Sequence, residues 1–293
     1  MSEAKYTPEE IISRLELKPV TQYQSEIISS PLEPSVVIAG AGSGKTETMS
    51  NRVLYLVANG FVTPDQILGL TFTRKAAGEL SVRIRKRLRQ LAAHKDFKHI
   101  VSTSTSVTTY HSYAGKLLSE HAIRYGIDAD AEPLGEAAIW QIASDVVRNW
   151  SDDSYRNQSA VSTVIKDLLG LSKLMLEHQV KAEDIERIGN EVLLSLQPLT
   201  GSSNAEVRDV AKAMRQRNSL LPMVEVFMQR RKAAGEFSFD DQMSLAADIA
   251  QNFEDVGVLE RGKYKVVLLD EYQDTSQSQV RLLSALFGNG HPV

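Results

Sequence analysis

Eight consecutive residues, Ala39-Gly40-Ala41-Gly42-Ser43-Gly44-Lys45-Thr46, combine three glycines, a lysine and two hydroxyl side chains. Glycines let successive backbone N–H groups turn toward a single anion, as a phosphate cradle requires. Lys45 supplies a mobile positive charge for β- and γ-phosphates, and the Thr46 hydroxyl is a hard oxygen donor suited to Mg²⁺. Ala39 stands where this loop pattern has its first glycine. Far along the chain, Asp270-Glu271-Tyr272-Gln273-Asp274 sets two carboxylates side by side. Asp270 suits the same cation, and Glu271 suits the orientation or deprotonation of an attacking water. Asp274 or Thr275 reads as the N-cap of the helix that follows.

Both groups need elements to hold them. The β-branched run Ser35–Ala39 predicts a strand entering the loop, and Lys45–Gly60 predicts the helix leaving it, with its positive end at the anion. Ile67–Phe72, Ser106–Thr109 and Tyr264–Asp270 read as further buried strands, the last delivering Asp270 and Glu271 to its carboxyl end. Helices are predicted from Arg74 to about Ala93 and from about His111 to Arg124. Strand–helix alternation of this kind implies a doubly wound parallel sheet of the α/β class, which binds ligands at the carboxyl ends of its strands. From about residue 115 to 235 the period is helical throughout, with Ser202-Ser203-Asn204 as a cap for the last helix, and this block reads as a helical insertion. Residues 1–114 and 236–293 then form the nucleotide-binding domain. Trp140 and Trp150, within the insertion, read as core.

The 293 residues carry a net charge of −4 and 42% apolar residues, enough for a real core but no announcement of a polyanion partner. Nucleic-acid affinity would have to come from local patches, and Arg74, Lys75, Arg83, Arg85, Lys86, Arg87 and Arg89, with Lys95 and Lys98 beyond, offer one. Helical geometry lets at most about half of these face one groove. Phe72, Thr73 and Arg74, and likewise His111 and Ser112, leave strands at the functional edge and are the better candidates for contact. The absence of cysteine excludes disulfides and thiolate metal sites. The polar N-terminus and the lack of any membrane-length apolar run point to a cytoplasmic protein with no membrane partner.

Together the glycine-rich loop and Asp-Glu-Tyr-Gln-Asp-Thr resemble superfamily 1 DNA helicases of the UvrD/Rep/RecB type. Val20-Thr21-Gln22-Tyr23-Gln24 resembles the upstream Gln motif of that family, which implies that Gln24 recognises adenine. Leu70–Ala77 and Thr109–Ser112 resemble two blocks that contact single-stranded DNA, and Phe239-Asp240-Asp241 resembles the return to the motor domain. Gly44–Met49 and Leu56–Gly60 look closest to the actinobacterial AdnAB helicase–nucleases; Glu47 stands where many UvrD-type enzymes have Arg. The resemblance implies an ATP- and Mg²⁺-dependent helicase or translocase acting on single-stranded DNA or a single-strand/duplex junction, in repair or recombination. It also implies a possible second helicase–nuclease subunit. The blocks of a second RecA-like domain are not in the sequence, so the resemblance implies an N-terminal half whose own hydrolysis would be very slow. The alternative is a non-catalytic nucleotide- or DNA-binding module within a helicase–nuclease complex.

Overall fold

A computed structural model describes residues 4–40, 42–97, 104–128, 130–151, 160–197 and 205–293. The chain divides into two compact units, one of residues 1–116 with 247–293, the other of residues 117–246.

In the first unit, helices α1 (Pro8–Arg14) and α2 (Gln22–Ser29) precede α3 (Lys45–Ala58). Strand β1 (Ile67–Thr71) then leads through α4 (Arg74–Ala93) to β2 (Ser106–Thr109) and α5 (Tyr110–His121). After the second unit, α11 (Glu254–Lys263) leads into β3 (Val266–Leu269), and α12 (Gln277–Phe287) follows. The strands form a parallel sheet in the order β2-β1-β3, with Leu68 opposite both Ser106 and Val267. Every residue of β1 is buried, as expected of the central strand of a parallel sheet covered on both faces. Leu80, Ile84, Leu88 and Leu91 recur along α4 at helical spacing and join Val53, Leu54, Leu56 and Val57 of α3 in the core.

The strand expected at Ser35–Ala39 is not formed. Its backbone has no ladder: the Ser35 N–H donates to the Val293 carbonyl at 3.1 Å, while Val36 and Ile38 are 79% and 95% exposed. The Val267 N–H meanwhile donates to the Pro292 carbonyl at 3.0 Å, so residues 292–293 bond to β3 on one side and to Ser35 on the other. A β-branched run has strand propensity, but without a neighbour on both sides that propensity yields only an extended segment. The N-cap of α12 is likewise corrected. Ser276, not Asp274 or Thr275, accepts from the Gln279 N–H in a reciprocal capping box, while the Thr275 hydroxyl turns back to the Tyr272 carbonyl.

The second unit is helical among its described residues: α6 (Glu136–Arg148), α7 (Val161–His178), α8 (Ala182–Leu196), α9 (Ala205–Ala233) and the start of α10 (Asp241–Asn252). Val147, Val164, Ile165, Leu168, Met223, Val224 and Phe227 form its core. Trp150 packs against that core, but Trp140 is 45% exposed. Ile139, Ala143, Val146 and Val147 take the inward stripe of α6, and Trp140 lies at its margin, about 20° beyond Val147 on the helical wheel. The proposed cap at residues 202–204 lies outside the described residues, as does Lys98.

Candidate nucleotide site and nucleic-acid edge

The glycine-rich loop ends at α3. Gly42 and Gly44 have φ of +76° and +88°, in the left-handed region that favours glycine, and the Ser43 N–H folds back to the Gly40 carbonyl. Gly44 is the N-cap of α3 and provides no side-chain cap, so the first-turn N–H groups have no side-chain oxygen of their own. That is the state in which a helix start receives an anion. Lys45 and Thr46 are the first two residues of α3. Ala39 and Gly40 precede the turn; Ala41 lies outside the described residues.

Gln24 lies against this loop. Thr21 and Gln24 form a capping box at the start of α2, and the Gln24 Nε2 donates to the Ser43 carbonyl at 3.1 Å. A methyl group added at Gly44 would come within 3.0 Å of that same Nε2, so this glycine is also a close-approach position.

From the other end of the chain, Glu271 Oε1 stands 3.5 Å from Lys45 Nζ. Residues of the two motifs, more than two hundred positions apart, therefore share one site. The Asp270 N–H donates to the Leu70 carbonyl at 2.9 Å, extending the register of β3 by one residue and fixing this carboxylate at the strand end. Burial, and then the neighbouring Glu271, push the Asp270 carboxyl above its ordinary pKa. A hydrogen bond from the Gln273 amide, and then Lys45, pull the Glu271 carboxyl below its own. Glu271 also has φ +51°, an uncommon backbone conformation for a residue with a side chain. Among the described residues no cluster of three or more His, Asp or Glu could hold a metal alone. One hydroxyl (Thr46) and one carboxylate (Asp270) are the residues that could hold Mg²⁺ together with substrate phosphates and water.

Because the strands are parallel, their carboxyl ends share an edge with this site. Phe72 leaves β1 there, Thr73 caps α4 by accepting from the Ala76 N–H, and Arg74 is exposed. His111 and Ser112 follow β2, both exposed, with the Ser112 hydroxyl accepting from the Thr109 hydroxyl at 2.9 Å. Between them lies a residue not singled out from the sequence. The Tyr110 ring packs on Phe72 at 4.9 Å between centroids, and its hydroxyl, raised in pKa mainly by burial, reaches the Asp270 carbonyl at 3.5 Å. Tyr110 thus joins the edge to the acidic strand end.

The profile of the UvrD/REP helicase N-terminal domain matches residues 20–293. The chain belongs to this family. The ATP-dependent DNA helicase UvrD1 of Mycobacterium tuberculosis is 30% identical over 255 residues, covering 87% of this chain and 28% of the relative. UvrD1 of Mycobacterium leprae is 26% identical over 97% of the chain and 32% of the relative. The ATP-dependent DNA helicase PcrA of Staphylococcus epidermidis is 26% identical over 93% of the chain and 32% of the relative. The chain thus spans about a third of the length of the curated relatives it matches.

Two networks brace this UvrD/REP domain around its site. Glu47, one residue beyond Thr46, pairs with Arg83 at 3.3 Å and with Arg87, while Arg87 also donates to Asn51 at 2.6 Å. Two of the seven cations of α4 are therefore turned inward, and Arg87 is only 8% exposed. The departure to an acidic residue at position 47 has its structural partners on α4. Glu47→Arg would set three cations together, and a loss of about 2 kcal/mol in urea unfolding is the expected result, against a smaller loss for Glu47→Gln. The second network is Arg52 of α3, buried, which donates to the carbonyls of Ile27, Ile28, Ser30 and Pro31 at 2.9–3.2 Å. It ties the end of α2, and so the Gln24 helix, to the loop helix. A lone arginine in an apolar helical stretch is the signal that could have marked it.

Proposed function

We propose that the chain is the ATP-binding motor portion of an ATP-dependent DNA helicase or translocase. Residues 1–114 and 236–293 would form a RecA-like, doubly wound domain, and residues 115–235 a helical insertion. The Lys45–Glu271 juxtaposition carries this reading: the phosphate-binding lysine and the carboxylate suited to activating water meet at one strand edge. The loop N–H groups and Lys45 bind the β- and γ-phosphates, and Gln24 leaves the Ser43 carbonyl to read adenine. Bound Mg²⁺, held by Thr46 and Asp270, would neutralise charge on the transferring phosphate. Glu271 orients the water and takes its proton. Phe72, Thr73, Arg74, His111 and Ser112 face single-stranded DNA or a junction.

Family membership and relatives that are named ATP-dependent DNA helicases support this over a purely structural binding module. Among the described residues no helix is long and apolar enough to cross a membrane. The Glu47 block supports a finer placement beside AdnAB, with a helicase–nuclease partner subunit. The test is ATP turnover and strand separation by the full-length protein. Stimulation by single-stranded DNA, with unwinding of a tailed duplex, is expected; nucleotide and DNA binding without turnover would favour the non-catalytic module.

A further inference from the structure

Helix α4 holds seven basic residues and one acidic residue, Glu79. Arg83 and Arg87 are spent on Glu47. The other five, Arg74, Lys75, Arg85, Lys86 and Arg89, are all exposed. At 100° per residue they fall within an arc of roughly 120°, with exposed Gly78 and Val82 between the two groups. In a chain of net charge −4, this is a segregated positive face.

Its placement matters more than its charge. Because β1 and β2 are parallel, α4 must run back from the carboxyl edge toward the opposite edge of the sheet. A rise of 1.5 Å per residue puts Arg85, Lys86 and Arg89 about 16–22 Å along the helix from Arg74. They are therefore well removed from the edge that Phe72–Arg74 and His111–Ser112 occupy. Stabilisation of the helix itself does not account for them. The last turn, where cations favour a helix end, has no basic residue. Among the described residues Lys86 and Arg89 form no ion pair, and Arg85 meets only the Ser81 hydroxyl, at 3.4 Å.

We propose that Arg85, Lys86 and Arg89 form a second phosphate-contacting surface, which holds the DNA backbone after it passes the edge at Arg74. The partner is a polyanion of regular charge spacing, for which a row of unpaired cations on a straight helix is complementary. This deepens the DNA reading above and rests on it.

The test uses the full-length protein and the triple variant Arg85→Gln/Lys86→Gln/Arg89→Gln, titrated with single strands of increasing length and with a blunt duplex across a salt series. Strands too short to pass Arg74 should bind both proteins alike. Longer strands should bind the variant at least tenfold more weakly near 0.1 M salt, with the slope of log affinity against log salt reduced by about two, at roughly 0.7 per phosphate lost. ATP turnover without DNA should be unchanged. Loss on the duplex as well would extend the surface to double-stranded DNA. Equal affinity and slope at every length overturn the surface while leaving the helicase reading intact. A wild-type protein with no DNA affinity overturns both.

Discussion

Replacing Glu271 by Gln is expected to lower the ATP turnover of the full-length protein by about 10³-fold while leaving nucleotide affinity within a few-fold. The substitution keeps the size of the side chain and its ability to accept from the Gln273 amide, but removes the base. It also releases Lys45 from its 3.5 Å partner, which favours phosphate binding if it changes it at all. Lys45→Ala should act oppositely, with the enthalpy of ATP-analogue binding lost in calorimetry and turnover lost with it. The pair of variants separates binding from chemistry. Unchanged turnover in Glu271→Gln would remove this residue from the reaction and return the site to a binding role. Undiminished analogue binding in Lys45→Ala would remove the phosphate-loop assignment itself.

Arg52→Ala should cost about 3–4 kcal/mol, the largest stability effect of any single substitution considered for the first unit. The guanidinium satisfies four carbonyls where α2 ends, sharing that of Ile27 with the Ser30 hydroxyl, which donates to it at 2.8 Å. Burial already pulls its pKa down, so the charge is held at a desolvation cost that the four acceptors offset. Lysine, with one ammonium in place of a planar fork, should recover only part of the loss. The measurement is the thermal midpoint, expected to fall by about 10 °C. A functional signature accompanies it: because Gln24 lies on the helix that Arg52 secures, the discrimination of ATP from GTP should weaken in the surviving folded protein. A midpoint within a degree of wild type would show that water replaces the guanidinium without cost.

Much of the site could be read from residue order because its parts are local. The left-handed glycines, the loop lysine and the paired carboxylates each belong to a short segment whose chemistry depends on immediate neighbours. The strands Ile67–Thr71 and Val266–Leu269 were legible for the same reason, as apolar runs bounded by turns, and Ser106–Thr109 as a short β-branched run. What stayed hidden depends on partners distant in sequence. Arg83 and Arg87 look like solvent-facing cations until Glu47 is placed beside them. Arg52 reads as an ordinary polar position until four carbonyls converge on it. The run Ser35–Ala39 failed in the opposite direction: its composition suits a strand, but pairing is a property of the neighbours, and here only its first residue finds one. Trp140 shows the limit for helices: it lies at the margin of the buried stripe of α6, yet is 45% exposed, because its cover depends on neighbours distant in sequence.

The apolar side chains of Val36, Val37 and Ile38, facing solvent beside an incomplete ladder, have a practical consequence. An unguarded sheet margin is a template for any extended chain, including another copy of the same one. A polypeptide of these 293 residues should therefore be sticky in concentrated solution, and its handling properties would reflect that margin. Lysines at positions 36 and 38 would be the economical remedy.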